Sequence, residues 1–249
     1  GKVRELGAFE VLRRLAKMGF HCIEISQIPM TAENVAEIRR ACDSFDIRVA
    51  ACSAALDPSP MGGESLSTDF DKIVSDCKAL NCDLLRIGML PIPLMGSREK
   101  ALDFVRRAEE FAARLQEHGI ALYYHNHHIE FTKYDGETLL EILRRNTRLL
   151  GFELDVHWIH RGGCDPVKVI ADYAGKVDLI HLKDYRIGHI PPEAFGMMAK
   201  GDFKGFMQAF NDVVQFAEVG EGTLDMDAII KQSLASGAKY FFIEQDNLY

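Results

Sequence analysis

Residues 119–131 read GIALYYHNHHIEF: a glycine, an apolar run, then three histidines and a glutamate crowded into its far end. An apolar run this short, rich in aromatic residues, has the length and make-up of a buried strand. On a strand, side chains two apart share a face, so His125 and His127 point one way and Asn126 and His128 the other. Polar side chains grouped at the carboxyl end of a buried strand raise the question of what the other strands end in.

Further runs of the same kind recur along the chain: HCIEIS (21–26), RVAACSA (48–54), DLLRIGM (83–89), GFELDV (151–156), DLIHLKD (178–184) and YFFIEQD (240–246). Between them, segments such as TAENVAEIRRACDSF and SREKALDFVRRAEEFAARLQEHG place apolar residues three and four apart, the signature of a helix with one buried face. Thr31 and Ser97 stand where N-caps belong, and Gly19 and Gly119 where helices stop. Alternating strands and helices imply parallel strands joined by crossovers. No GxGxxG or GxxxxGK[ST] loop follows the first strand, which disfavours an open doubly wound sheet and favours a (β/α)8 TIM barrel. With seven candidate strands, that barrel is short of its first strand and its last helix; an open seven-stranded sheet is the alternative. Two stretches, 56–69 and 186–217, are long enough for lids or binding loops. No linker interrupts residues 1–249, so one domain is expected.

Composition narrows the function. The chain has 249 residues, 47% hydrophobic and 27% charged, and a formal net charge of −8. Lys and Arg are scattered, so nucleic acid is not the expected partner. The six cysteines form no CxxC pair and several sit in apolar runs, which suits a reducing, cytoplasmic setting. No apolar stretch reaches the roughly 18 residues a membrane span needs, and no leader pattern opens the chain. Oligomeric state stays open, homo-oligomers included.

In a barrel the site lies at the carboxyl ends of the strands. Reading alternate positions there gives His125 and His127, then Glu153, Asp155 and His157, then His181 and Lys183, then Glu244 and Asp246. Glu24 interrupts the otherwise apolar HCIEIS. Four successive strands thus end in His, Asp, His and Glu, ligand types that suit one Mn²⁺, Zn²⁺, Mg²⁺ or Co²⁺ ion. A shared cation would also offset the cost of burying several carboxylates. Lys183 is placed to hold a substrate oxygen, with Asp184 turned away. Trp158, the only tryptophan, is either a wall for a sugar ring or a core residue. Asp165-Pro166 reads as a helix start, and Asp225 or Asp227 as a helix cap.

Taken together and in order, GFHCIEIS, YYHNHHIEF, ELDVHWIHRGGCDP, LIHLKD, EVGEGTLD and FFIEQD resemble the xylose isomerase-like TIM-barrel superfamily, in particular its sugar (phosphate) isomerase/epimerase branch with inosose dehydratase-like relatives. The resemblance implies one divalent metal held by Glu, Asp, His and Glu at successive strand ends. Asp155, His181 and Glu244 match the last three; at the first, this chain has His125, with Glu130 just beyond as the alternative ligand or an acid/base. It further implies proton abstraction beside the carbonyl of a ketose or keto-sugar, the metal stabilising the enediolate, with Glu244 and an imidazole such as His127 moving protons. Glu24, His157, Trp158 and Lys183 are the expected substrate contacts. The expected enzyme is an isomerase or epimerase of carbohydrate metabolism; a lyase or dehydratase eliminating from a keto-inositol or 3-keto-glycoside is the runner-up. An abasic-site endonuclease and a non-catalytic sugar-binding homologue are the readings from other classes.

Overall fold

The computed structural model describes residues 2–60 and 62–247. Seven strands form one parallel sheet in chain order: β1 (Cys22–Ile25), β2 (Arg48–Ser53), β3 (Leu84–Ile87), β4 (Ala121–His125), β5 (Gly151–Asp155), β6 (Val177–Leu182) and β7 (Tyr240–Ile243). Every neighbouring pair is parallel, and helices cover the outside, giving a nearly closed barrel one strand short of eight. Among the described residues nothing pairs β7 with β1, and no helix follows β7.

The pleat sorts the side chains. Ile23, Ile25, Leu85, Ile87, Leu122, Tyr124, Phe152, Leu154, Ile180 and Leu182 face outward into the core shared with the helices. Phe104 meets Tyr124 edge-on at 5.4 Å, and Tyr173 meets Phe152 at 5.0 Å. The alternate residues face the lumen. Ala50, Ala51, Leu84, Tyr123, Leu179 and Phe242 make a separate apolar plug there, so the polar groups further along the strands are held over an apolar base, clear of water from below.

Helix ends follow the local chemistry anticipated for them. Thr31 accepts from the Asn34 amide and Ser97 from the Lys100 amide, both at 3.2 Å. Asp165 accepts from the Val167 amide with Pro166 in the first turn, and Asp225 caps Met226–Ser236 through the Ala228 amide. Gly19 (φ 92°) and Gly119 (φ 77°) take the left-handed backbone that ends a helix and starts a strand.

Three expectations need correction. His157 does not continue the face of β5: the strand stops at Asp155, whose carboxylate caps a short helix, Val156–Arg161, by accepting from the Trp158 amide at 3.0 Å. Residues 186–217 are not a loop. Asp184–Ile187 and Val214–Ala217 pair as an antiparallel ribbon, carrying the helices Pro192–Ala199 and Phe203–Asn211 between them. The 56–69 stretch is shortened by a helix starting at Leu66; Met61 within it lies outside the described residues.

Asp184 does turn from the mouth, as expected, and its role is specific. Its carboxylate accepts from the amides of Gly220, Gly222 and Leu224, pinning the 218–225 turn against the ribbon. Asp184→Ala is expected to lower stability by about 2–4 kcal/mol, because three partly buried amides lose their acceptor; chemical denaturation measures it, and a change below the error of the measurement would contradict the assignment.

Candidate metal centre at the barrel mouth

The strand ends converge. His125 from β4, Asp155 from β5, His181 from β6 and Glu244 just past β7 each offer a ligand atom, all within 4.8 Å of one another. Nε2 of His125 lies 3.7 Å from Oδ2 of Asp155; Nδ1 of His181 lies 4.0 Å from that oxygen and 2.9 Å from Oε2 of Glu244. His125, Asp155 and His181 are buried, and Glu244 is 29% exposed on the open side.

These residues fit a cation. Both ring nitrogens of His125 and Oδ2 of Asp155 are buried with no hydrogen-bond partner in the protein. Orphaned buried polar atoms of this kind cost free energy unless something else satisfies them. Burial, reinforced by the positive charge of His181 and Arg86, holds the His125 imidazole neutral, well below its ordinary pKa. Burial also raises Asp155 above the usual carboxylate range. Around His181 burial is outweighed by Glu153, Glu24 and Glu244, which raise its pKa well above the usual value; a bound cation would compete with that proton. Glu244 is held low despite burial, by the hydrogen bond and charge of His181 and the charge of Lys183.

Lys183 reaches the same centre from beyond β6: its ammonium lies 2.8 Å from Glu244, 3.1 Å from Asp246 and 3.5 Å from Asp155. It also sits 5.2 Å from the ring centre of Trp158 and 5.7 Å from that of Phe216. Trp158, half-buried, packs with His127, His128 and His157, and its indole N–H has no acceptor. It therefore belongs to the mouth rather than to the helix-facing core. His157, though on a helix, is also brought to this wall, against Tyr185 and Phe216. The His127 ring meets that of His125 edge-on, with 4.8 Å between ring centres; burial holds its pKa down to about 4, and its Nδ1 has no hydrogen-bond partner.

Glu130 is not brought to the cluster. It is buried beneath the 126–131 turn, accepting from the Tyr124 hydroxyl and, at 2.8 Å, from the His127 amide. Because Tyr124 faces the helices, Glu130 lies on the outer side of β4. Asn126 likewise turns out of the lumen and accepts from the Asp155 amide. Glu24 does face the lumen, but below the mouth, where it pairs with Arg86.

Sequence reasoning put Glu153 on the mouth-facing side without giving it a role, and passed over Arg86, Tyr185 and Phe216 as members of the site. A charged residue at an alternate position of the apolar LLRI was a signal for Arg86. Phe216 carried none, because only the ribbon brings it to Trp158.

A family model described as a xylose isomerase-like TIM barrel matches residues 12–247. Among solved structures, a sugar phosphate isomerase/epimerase from Parabacteroides distasonis superposes with a TM-score of 0.71 at 19% identity, covering 99% of this chain and 82% of that one. A probable 3-DHS dehydratase from Bacillus anthracis gives 0.63 at 18%, over 95% and 86%. The apo form of 3-keto-D-glucoside 4-epimerase from E. coli gives 0.61 at 17%, over 95% and 86%. At these identities the likeness is one of fold. No curated protein matches the chain. No helix among the described residues is long and apolar enough to cross a membrane.

Proposed function

The chain belongs to the xylose isomerase-like TIM-barrel family, and from that premise we propose that it is a divalent-metal-dependent sugar isomerase or epimerase acting on a ketose or keto-sugar. The observation that carries this is the convergence of His125, Asp155, His181 and Glu244, with orphaned buried ligand atoms on His125 and Asp155. When bound there, a divalent cation supplies Lewis-acid polarisation of a carbonyl or hydroxyl oxygen. The protein supplies the rest. Glu244, on the open side, is the carboxylate placed to take a proton from the carbon beside the carbonyl. His127, kept neutral by burial and with Nδ1 free, is the second group able to accept or return a proton. The Lys183 ammonium, held charged by Asp155 and Glu244 against the effect of burial, is positioned to donate to a substrate oxygen. Trp158 and Phe216 offer ring faces for the apolar face of a sugar.

Metal analysis tests the premise. The protein is expected to bind one Mn²⁺ or Co²⁺ per chain and to lose activity on chelation. A second set of ligand type, Glu24, Glu153 and His181, exists deeper in the lumen, but the Arg86 guanidinium already compensates its carboxylates. No binding by calorimetry would sink the proposal, and two or three ions per chain would move it toward the multi-metal abasic-site endonucleases. The net charge of −8 speaks against a DNA partner.

One feature favours elimination as the second reading. With Glu130 tied to Tyr124, the mouth pairs one carboxylate, Glu244, with an imidazole, His127, instead of a second glutamate. A neutral imidazole beside the substrate can take the proton next to the carbonyl and hand that same proton to the leaving group, which departs as water or an alcohol. Incubation with 3-keto-glucosides in D₂O separates the two: deuterium in a sugar of unchanged formula supports epimerisation, whereas loss of water or aglycone supports a lyase.

A further inference from the structure

Below the mouth, the lumen holds a charged layer that the reaction itself does not use. Arg86 from β3 is 6% exposed. Its guanidinium bonds Glu24 at 2.9 Å and the Ser26 hydroxyl at 2.8 Å, and its Nε lies 3.0 Å from Oε2 of Glu153. Space for it comes from Gly88, where a Cβ would stand 2.8 Å from a guanidinium nitrogen. The far oxygens of the two glutamates meet on one atom: Nε2 of His181 lies 3.3 Å from Oε2 of Glu24 and 3.2 Å from Oε1 of Glu153. The opposite nitrogen of the same ring, Nδ1, faces Glu244 and Asp155 in the ligand quartet.

A ring clamped on one edge by two carboxylates has its tautomer and its orientation decided by them. Two buried carboxylates this close would repel each other and rise toward protonation without a cation between them.

We propose that Arg86 is a positioning residue: an internal counter-cation that holds Glu24 and Glu153 as a carboxylate pair on the Nε2 edge of His181, so that the proton stays on Nε2 and the Nδ1 lone pair is left for the metal. This rests on the reading of the quartet as a metal site. It assigns the deeper layer to setting metal affinity and ligand geometry, although no member of it other than His181 touches the ion.

Calorimetric titration of the metal-free protein with Co²⁺, together with the visible absorption spectrum of the Co²⁺ form, tests it. Arg86→Met and Glu153→Gln are each expected to weaken Co²⁺ binding by about 10- to 100-fold, the usual effect of losing an outer partner of a ligating histidine. Both are expected to shift the Co²⁺ d–d bands, and Arg86→Lys to recover part of the affinity. Glu153→Gln keeps the shape of the side chain and reads the same clamp if Arg86→Met fails to fold. Wild-type affinity and spectrum in a folded Glu153→Gln protein would overturn the inference while leaving the metal site intact. No Co²⁺ binding by the wild-type protein would remove the metal reading itself, and the clamp with it.

Discussion

Asp155→Asn is expected to lower metal affinity by more than about 100-fold, beyond what loss of an outer partner costs, and to reduce activity accordingly. The two oxygens of Asp155 do different work. Oδ1 caps the Val156–Arg161 helix through the Trp158 amide, and Oδ2 points into the quartet with no hydrogen-bond partner, 3.5 Å from the Lys183 ammonium. Asparagine keeps an oxygen for the cap but replaces the anion by a neutral amide, so the helix that carries His157 and Trp158 stays in place while the cation loses a charged ligand. Calorimetry with Mn²⁺ and thermal melting of the metal-free protein, done side by side, check this. An affinity within about threefold of wild type would show that Asp155 is not a ligand. A large fall in the stability of the metal-free protein would show that the cap had been lost instead.

The second large effect is expected on stability. Glu130→Ala removes the acceptor of two buried donors, the Tyr124 hydroxyl and the His127 amide. At about 1–3 kcal/mol for each orphaned group, the loss is about 2–6 kcal/mol. Glu130→Gln keeps one acceptor oxygen but sets an NH2 group against the other donor, so it is expected to recover no more than about half of it. Neither change should alter metal affinity, because Glu130 lies on the outer side of β4, where Tyr124 meets Phe104. Urea unfolding and metal titration on the same two variants distinguish the roles: unchanged stability with lost affinity would make Glu130 the first ligand in place of His125.

That contrast marks how far a linear reading carries. The period of two in LYYH, FELD and LIHL placed His125, Asp155 and His181 on one face of three strands, and the pleat follows from backbone geometry alone. The same period misjudged His157, because Asp155 ends its strand by capping a helix, and a local hydrogen bond outweighs the alternation there. It left Glu130 undecided between ligand and acid/base, since a residue past the strand end takes its direction from its turn.

By itself, then, the amino-acid order determined the alternation of strands and helices, the caps, the lumen-facing residues and the family. Each depends on neighbours a few positions apart, through pleat, helical repeat and capping bonds. Tertiary structure alone decided that His181 is gripped on one edge by Glu24 and Glu153, that Arg86 neutralises that pair, and that Phe216 joins Trp158 across the mouth. These contacts join residues 28 to 157 positions apart. They exist because closing the sheet drives unlike strands into one lumen, where burial makes each charge seek a partner that its own strand cannot offer.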